Sequence, residues 1–354
     1  MASRTRPKDP TPARQSSRHS YAYASAYVCP QCRQSLAPEK DALSCEPCGR
    51  KFPVDEGIAD FAAGAYCDEF HPGQRLTPEH AAALDDEMVG TRWRIERFYA
   101  PLIMQRLGRP KADCAPRILD CGCGNGLSVD LLRERGVETW GIDLSALRKW
   151  QWGQRRERDH LAVADAASLP FPDGFFDGIV SSGVFEHVGV REFRTPEYSV
   201  QPEADQEEKR LRFLVELVRV MRPGGVIWID APNGSFPIDL WHATSMEGRP
   251  RFHSLRERFL PKLREIRRLL KRVDPDLRAA AISPHERFRF GRIRRRSYGK
   301  LVAAAASLWF RLMKAPLLSR LAGSPLNPYL VIEVTRPSER ERSRRSLADG
   351  GACL

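Results

Sequence analysis

Four cysteines, Cys29, Cys32, Cys45 and Cys48, stand as two C-x-x-C pairs separated by twelve residues. That spacing lets two short knuckles converge on one Zn²⁺ with tetrahedral geometry. Four sulfurs leave no open position, so the metal is expected to be structural. Pro30 and Pro47 stiffen the knuckles, and Gly49 offers the positive φ that turns the second one back into a strand, KFPV. A segment this short cannot bury a core large enough to fold without the metal. Disulfides are the alternative, and a reducing compartment disfavours them. Cys67, Cys114 and Cys353 are isolated.

A second chemical stretch is ILDCGCGNG at 118–126. An apolar strand, RILD, runs into Gly122, Gly124 and Gly126, and the helix LSVDLLRER follows until Gly136 stops it. Glycine suits a loop whose bare backbone a ligand must approach, and the helix start presents free N–H groups to an anion, a carboxylate as well as a phosphate. VETWGIDLS is a second strand ending in Asp143, 23 positions after Asp120, a spacing that suits a carboxylate holding both hydroxyls of a ribose. A third strand ends in Asp165, and FDGIVSS is the fourth. Cys121 and Cys123 alternate with glycine too tightly to share one zinc and are expected to fill small gaps by packing.

Two histidines fall at the carboxyl edge of these strands, where ligands of such sheets bind. His187 follows the fourth strand, and His242 lies in the loop after the fifth, APNGSFPIDLWHATS. Each is a candidate base for a hydroxyl acceptor; a packed, hydrogen-bonded histidine is the alternative for both. Asn233, Asp239 and Trp241 share that loop as candidate pocket residues, although Asn233 also suits a turn. Glu186 is a candidate for pairing with an arginine.

The elements that must position these groups fit an α/β protein. The chain has 354 residues, 42% hydrophobic and 29% charged, enough for one large domain plus a small module. The net charge of +12 attracts anionic partners such as nucleic acid, acidic lipid or a phosphorylated substrate, and the excess sits in 249–296 and in RPSERERSRRSLADGG. A solvated basic face explains it equally well. Residues 254–273, SLRERFLPKLREIRRLLKRV, place apolar side chains at helical intervals among six arginines and two lysines, a pattern shared by membrane-surface helices and by ordinary packing helices. Arg311, Lys314 and Arg320 interrupt the apolar run at 301–322, so no spanning helix is expected. The basic, Pro/Ser-rich start has no apolar segment after it and is not a secretory signal. A cytoplasmic protein is expected, with peripheral contact to the inner face of an anionic membrane as a further option.

The matching phrases DCGCGNG, GIDLS, ADAASLPFPDGFFD, EHV and MRPGG follow one another over roughly residues 90–235. In that order they resemble the class I S-adenosylmethionine-dependent methyltransferases of the ubiquinone and menaquinone type. The front segment, down to PVDEGIADF, resembles the zinc ribbon of some bacterial methyltransferases, including 23S ribosomal RNA guanine methyltransferases. The resemblance implies a Rossmann-like, seven-stranded methyltransferase sheet with a small N-terminal zinc ribbon, its last strand, NPYLVIEVTRP, antiparallel. It implies S-adenosylmethionine held by Asp120, Gly122, Gly124 and Gly126 at the methionine part, by Asp143 and Leu144 at the ribose, and by Asp165 and Ala166 at the adenine. The organisation expected is a disordered basic start (1–25), the ribbon (26–62), a linker (63–89), the methyltransferase domain (90–335) with cap insertions at 236–296, and a disordered tail (336–354). The acceptor expected is a small molecule, a sugar or a lipid-linked group, methylated on oxygen. Methylation of a ribosomal or transfer RNA base is the alternative, and a scaffold that has lost turnover is a third reading. Oligomeric state is left open.

Overall fold

The computed structural model describes residues 25–68, 70, 78–111, 114–155, 157–193, 199–242, 251–283 and 299–337. The expected disordered ends fall almost wholly outside these residues, as does the basic stretch 284–298.

Seven strands form the centre: β5 (Arg117–Cys121), β6 (Glu138–Asp143), β7 (Leu161–Val163), β8 (Phe176–Ser182), β11 (Met221–Pro232), β14 (Arg278–Ala281) and β15 (Tyr329–Thr335). Their spatial order is β7-β6-β5-β8-β11-β15-β14. Pairs from β7 to β11 are parallel, and β15 runs antiparallel to both neighbours. After Arg117 every residue of β5 is buried, because helices cover both faces of a parallel sheet and the strand reads as an unbroken apolar run. The order of strands reverses between β5 and β8 while their direction stays parallel, the switch point at which doubly wound sheets open a crevice. Strand β14 had no strong signal in the sequence. Its RAAA is recognisable by its register against β15, Ala280 opposite Glu333.

The ribbon does not stand apart as a separate module. Its strands β1 (Ala37–Pro38), β2 (Ala42–Ser44), β3 (Lys51–Asp55) and β4 (Ile58–Asp60) extend the central sheet to eleven strands. The join is a parallel pairing of Ala59 with Ala162 and Asp60 with Val163. Tyr27 lies 5.2 Å from Phe61 and 5.4 Å from Phe171, ring centre to ring centre, and so cements the knuckles to the sheet face.

One core, with Trp140, Phe171, Phe176 and Phe213, lies on one face; a second gathers Tyr99, Ile103, Ile118 and Trp228 under the continuous helical run α1 (Pro78–Arg94), a π turn (Ile95–Tyr99) and α2 (Ala100–Leu107). The basic segment 254–273 is helical over Leu263–Val273 (α6), and Ile266, Leu269 and Leu270 are buried in the protein's own core. Arg268 and Arg272 pair with Glu207 and Glu208 of α5 (Gln206–Val220). This helix therefore packs within the fold, and its apolar face is not offered to a membrane. No helix among the described residues is long and apolar enough to cross one.

His160 sits 5.1 Å from Trp140, ring centre to ring centre, and burial pushes its pKa down to about 4, with the Arg133 charge adding to the shift. The fold thus favours the neutral ring. Its contribution to stability is complete above the ordinary histidine range near pH 6.5 and falls as pH drops from there toward 4, where both states are protonated. Urea unfolding across that window is expected to lose slope in His160→Phe; an unchanged slope would exclude this origin.

Candidate cofactor and acceptor site

The glycine loop joins β5 to α3 (Leu127–Arg133), and Gly122, Gly124 and Gly126 have φ of +86°, +56° and +79°. A side chain would be strained at all three. Cys121 and Cys123 are buried within the hydrophobic clusters, as packing residues. Gly141 on β6 is small for the same reason: a β-carbon there would lie 2.7 Å from the Cys123 sulfur and from Val129.

Asp143 ends β6 and receives the Gly124 N–H at 2.9 Å and the Ser145 N–H at 3.1 Å. Burial raises its pKa, while Arg148 and these N–H groups oppose the rise. Leu144 follows it, half-buried. Asp165 and Ala166 follow β7; Asp165 is exposed and caps its own turn through Ala167 N–H at 2.8 Å. The predicted methionine, ribose and adenine positions therefore line three neighbouring strand ends in the expected order.

Around the expected Asp120 lie residues that sequence reasoning missed: Arg94, Asp230, Glu87 and Asp68. Asp120 is buried, bonded by the Ser128 hydroxyl, and pushed up to about 6 by burial. Arg94, at the end of α1, faces Asp120 and Asp230; burial opposes its charge, but the Asp230 carboxylate holds its pKa above the ordinary value. Its buried Nε has no hydrogen-bond partner among the described residues. Asp230 on β11 is wholly buried and accepts from Ser182 at 2.7 Å, Tyr329 at 2.5 Å and Tyr99. The signal available was WRIERFY in a helix just before the first strand, but nothing local told which face of it would turn inward. From the same helix Glu87 reaches over Gly124 to Arg148 at 2.7 Å, so α1 lies across the glycine loop. The linker also contributes: Asp68 accepts the Ala146 N–H at 2.6 Å and the Ser145 hydroxyl at 2.6 Å, capping α4 (Ala146–Gly153) beside Asp143.

S-adenosylmethionine ends in an α-amino acid, which carries one cation and one anion. Asp120 and the orphaned Arg94 Nε offer complementary charges beside the glycine loop, so the residues present fit that group. The ribbon passes a similar test. Cys29 and Cys48 sulfurs are 3.6 Å apart, Cys32 and Cys45 are 3.3 Å apart, and all four lie within 4.8 Å of one another as free thiols. Tetrahedral zinc with Zn–S bonds of about 2.3 Å sets its sulfurs roughly 3.8 Å apart.

At the acceptor edge, His187 lies in a short 3₁₀ turn after β8, and its Nδ1 meets the Glu192 carboxylate on β9 (Val190–Phe193). His242 Nδ1 meets Asp239 at 2.9 Å, and the two imidazoles are 5.3 Å apart. Burial alone would raise Asp239, but His242 and the N–H groups of Trp241 and His242 hold it at about 2. Phe259 packs 4.8 Å from His242. The side chain of Asn233 is a brace: its amide donates to the carbonyls of Asn327 at 2.7 Å and Ser324 at 3.0 Å. Among the described residues Glu186 does not pair with an arginine through its carboxylate; Arg210 bonds its backbone carbonyl and pairs instead with Glu265 at 2.6 Å.

The strand order, the antiparallel seventh strand and the glycine loop define a Rossmann-like methyltransferase architecture. Residues 119–229 match the family model described as a methyltransferase domain, and residues 28–57 match the Trm112p-like protein family. The chain thus carries a class I S-adenosylmethionine-dependent methyltransferase domain behind an N-terminal, Trm112p-like cysteine ribbon. It is 30% identical over 133 residues to a "Probable S-adenosylmethionine-dependent methyltransferase" of Mycolicibacterium smegmatis, covering 37% of this chain and 43% of that one. It is 32% identical over 121 residues to the malonyl-[acyl-carrier protein] O-methyltransferase of Serratia marcescens, covering 34% and 40%. The chain spans less than half the length of these curated relatives. Among solved structures, the Archaeoglobus fulgidus SAM dependent methyltransferase is 17% identical with a TM-score of 0.37, over 73% of this chain and 100% of that one.

Proposed function

We propose that the protein transfers a methyl group from S-adenosylmethionine to a hydroxyl oxygen of a small, sugar or lipid-linked acceptor. The observation that carries the cofactor half is the buried Asp120 carboxylate, with the half-buried Arg94 guanidinium near it, beside the three positive-φ glycines. When bound, S-adenosylmethionine supplies an electrophilic methyl on a sulfonium that departs as a neutral thioether. Asp120 and Arg94 hold the amino-acid end, and Asp143 holds the ribose hydroxyls beside Leu144. Asp165 and Ala166 border the adenine. Helix α1, through Glu87 and Arg148, excludes water from the crevice, and the protein's main contribution is to align acceptor and methyl in line. A hydroxyl must shed its proton as its oxygen attacks. His187 and His242 are the groups at that edge that activate it, each with its tautomer set by a carboxylate on Nδ1.

The ribbon and the +12 charge favour RNA as a second reading. Against it, the loop after β11 is PNGS with Asn233 locked to backbone carbonyls, so that residue cannot receive a flipped base.

Asp143→Ala is expected to weaken S-adenosylhomocysteine binding about 100-fold in calorimetry, from the loss of two charge-assisted bonds worth about 1.5 kcal/mol each. Equal affinity in the variant, or no binding by the native chain, would overturn the cofactor assignment. Incubation with cofactor and a cell extract, followed by mass spectrometry, then separates a gain of one methyl in the small-molecule and lipid fraction from a gain in RNA.

A further inference from the structure

Beside the crevice, three side chains bring potential ligand atoms together: Glu186, His187 and His242 each offer one, all within 4.8 Å of one another. They come from distant parts of the chain, the turn after β8 and the loop after β11. Glu186 is 2% exposed, and its Oε2 is buried with no hydrogen-bond partner among the described residues. A carboxylate oxygen left in that state is costly unless something positive meets it.

The histidines are prepared in the manner of metal ligands. His187 Nδ1 is engaged by Glu192, and His242 Nδ1 by Asp239. A carboxylate on Nδ1 fixes the ring, leaves the lone pair on Nε2 and raises its basicity. Asp239 is in turn anchored by Arg251 at 3.2 Å, whose other partner is Glu257 at 2.5 Å. An inner set of two imidazoles and one carboxylate, each imidazole backed by an outer carboxylate, is more than a packed histidine pair requires. Metal bonds of about 2.0–2.2 Å place ligand atoms some 3–4 Å apart, so small side-chain adjustments close the set.

We propose that Glu186, His187 and His242 bind one divalent first-row cation, which takes a chelating oxygen acceptor such as a vicinal diol or a hydroxy acid in its open positions. Two imidazoles and one carboxylate leave such positions on the cation. This rests on the O-methylation reading and states how the two histidines act: they would hold the cation, which would lower the pKa of the bound hydroxyl so that its proton passes to solvent before the oxygen takes the methyl and the thioether leaves. It also narrows the acceptor from any hydroxyl to one with a neighbouring oxygen. The site is distinct from the ribbon, whose four thiolates suit zinc and disfavour a hard ion such as Mn²⁺.

The test uses the full chain with its ribbon intact, titrated with Mn²⁺ while the electron paramagnetic resonance of the free ion is followed. One Mn²⁺ per chain is expected, with binding weakened at least tenfold in both Glu186→Gln and His242→Gln. Asp239→Asn, which leaves the inner set in place, is expected to weaken it about tenfold. A native chain that leaves the free-ion signal untouched up to millimolar Mn²⁺, or Glu186→Gln and His242→Gln variants that bind as tightly as the native chain, would overturn the proposal. S-adenosylhomocysteine affinity is measured on the same samples. Retained cofactor binding shows that a variant is folded; loss of Mn²⁺ binding alone in such a variant then supports the cation site, and unchanged Mn²⁺ binding condemns it, without touching the methyltransferase reading. Failure of the native chain to bind S-adenosylhomocysteine condemns that reading instead.

Discussion

Removing zinc from the full chain with a strong chelator, or replacing Cys45 with serine, is expected to unfold the ribbon and to strip the edge of the central sheet. Cys29 and Cys45 are buried, and their sulfurs stand at distances that suit a shared cation. Closed thiolate sites of this kind contribute on the order of 10 kcal/mol to folding. A segment with four strands of two to five residues has no core to compensate. The consequence spreads because β4 is paired to β7, and because Phe61 N–H bonds Val163 at 2.8 Å and Val28 N–H bonds Pro170 at 3.0 Å. Loss of the ribbon bares Tyr27, Phe61 and Phe171 together with the strand that carries Asp165. Metal analysis should give one zinc per chain before treatment, and trypsin should then cut within 29–60 and weaken S-adenosylhomocysteine binding. A metal-free chain with the same protease resistance and the same melting curve would disprove a structural zinc.

The second large effect is expected at Asp230. Its buried carboxylate receives the Ser182, Tyr329 and Tyr99 hydroxyls and faces the half-buried Arg94. Asp230→Ala leaves three hydroxyls without their acceptor and Arg94 without a facing carboxylate, a loss of about 3–5 kcal/mol. Asp230→Asn keeps the shape and part of the hydrogen bonding but removes the charge, so a smaller loss is expected. Urea midpoints at constant slope measure both. Because Arg94 is proposed to receive the amino-acid carboxylate, both variants should also bind S-adenosylhomocysteine more weakly. Full stability in Asp230→Ala would show that the cluster is not a structural anchor.

Both expectations concern groups whose visibility in the chain differed sharply. The cysteine pairs were legible because a knuckle is a local object: two thiols three positions apart must face the same way. The glycine loop was legible for a similar reason, since its torsions are set within nine residues and the strand and helix flanking it have their own periodicities. Asp143 and Asp165 could be placed because successive parallel strands end at the same edge. Arg94 was not legible. It is one of many arginines, and its role depends on a π turn and on a helix crossing the sheet beside Asp230, a residue 136 positions away. Basic residues 264–272 left two readings open, since their amphipathic spacing could not say whether α5 and the sheet would cover the apolar side, as they do.

The chain order of strands, the loop that fits an adenosyl cofactor and the four-thiol ribbon were written in the sequence by itself, because each follows from spacing over a few residues or from the repeated strand–helix rhythm. Folding alone decided three things: the fusion of ribbon and sheet through β4 and β7, the placing of α1 with Glu87 across the glycine loop, and the meeting of Glu186, His187 and His242. Each is a contact between segments far apart in the chain, and such contacts are fixed by which buried faces pack together, a property that no short stretch of residues contains.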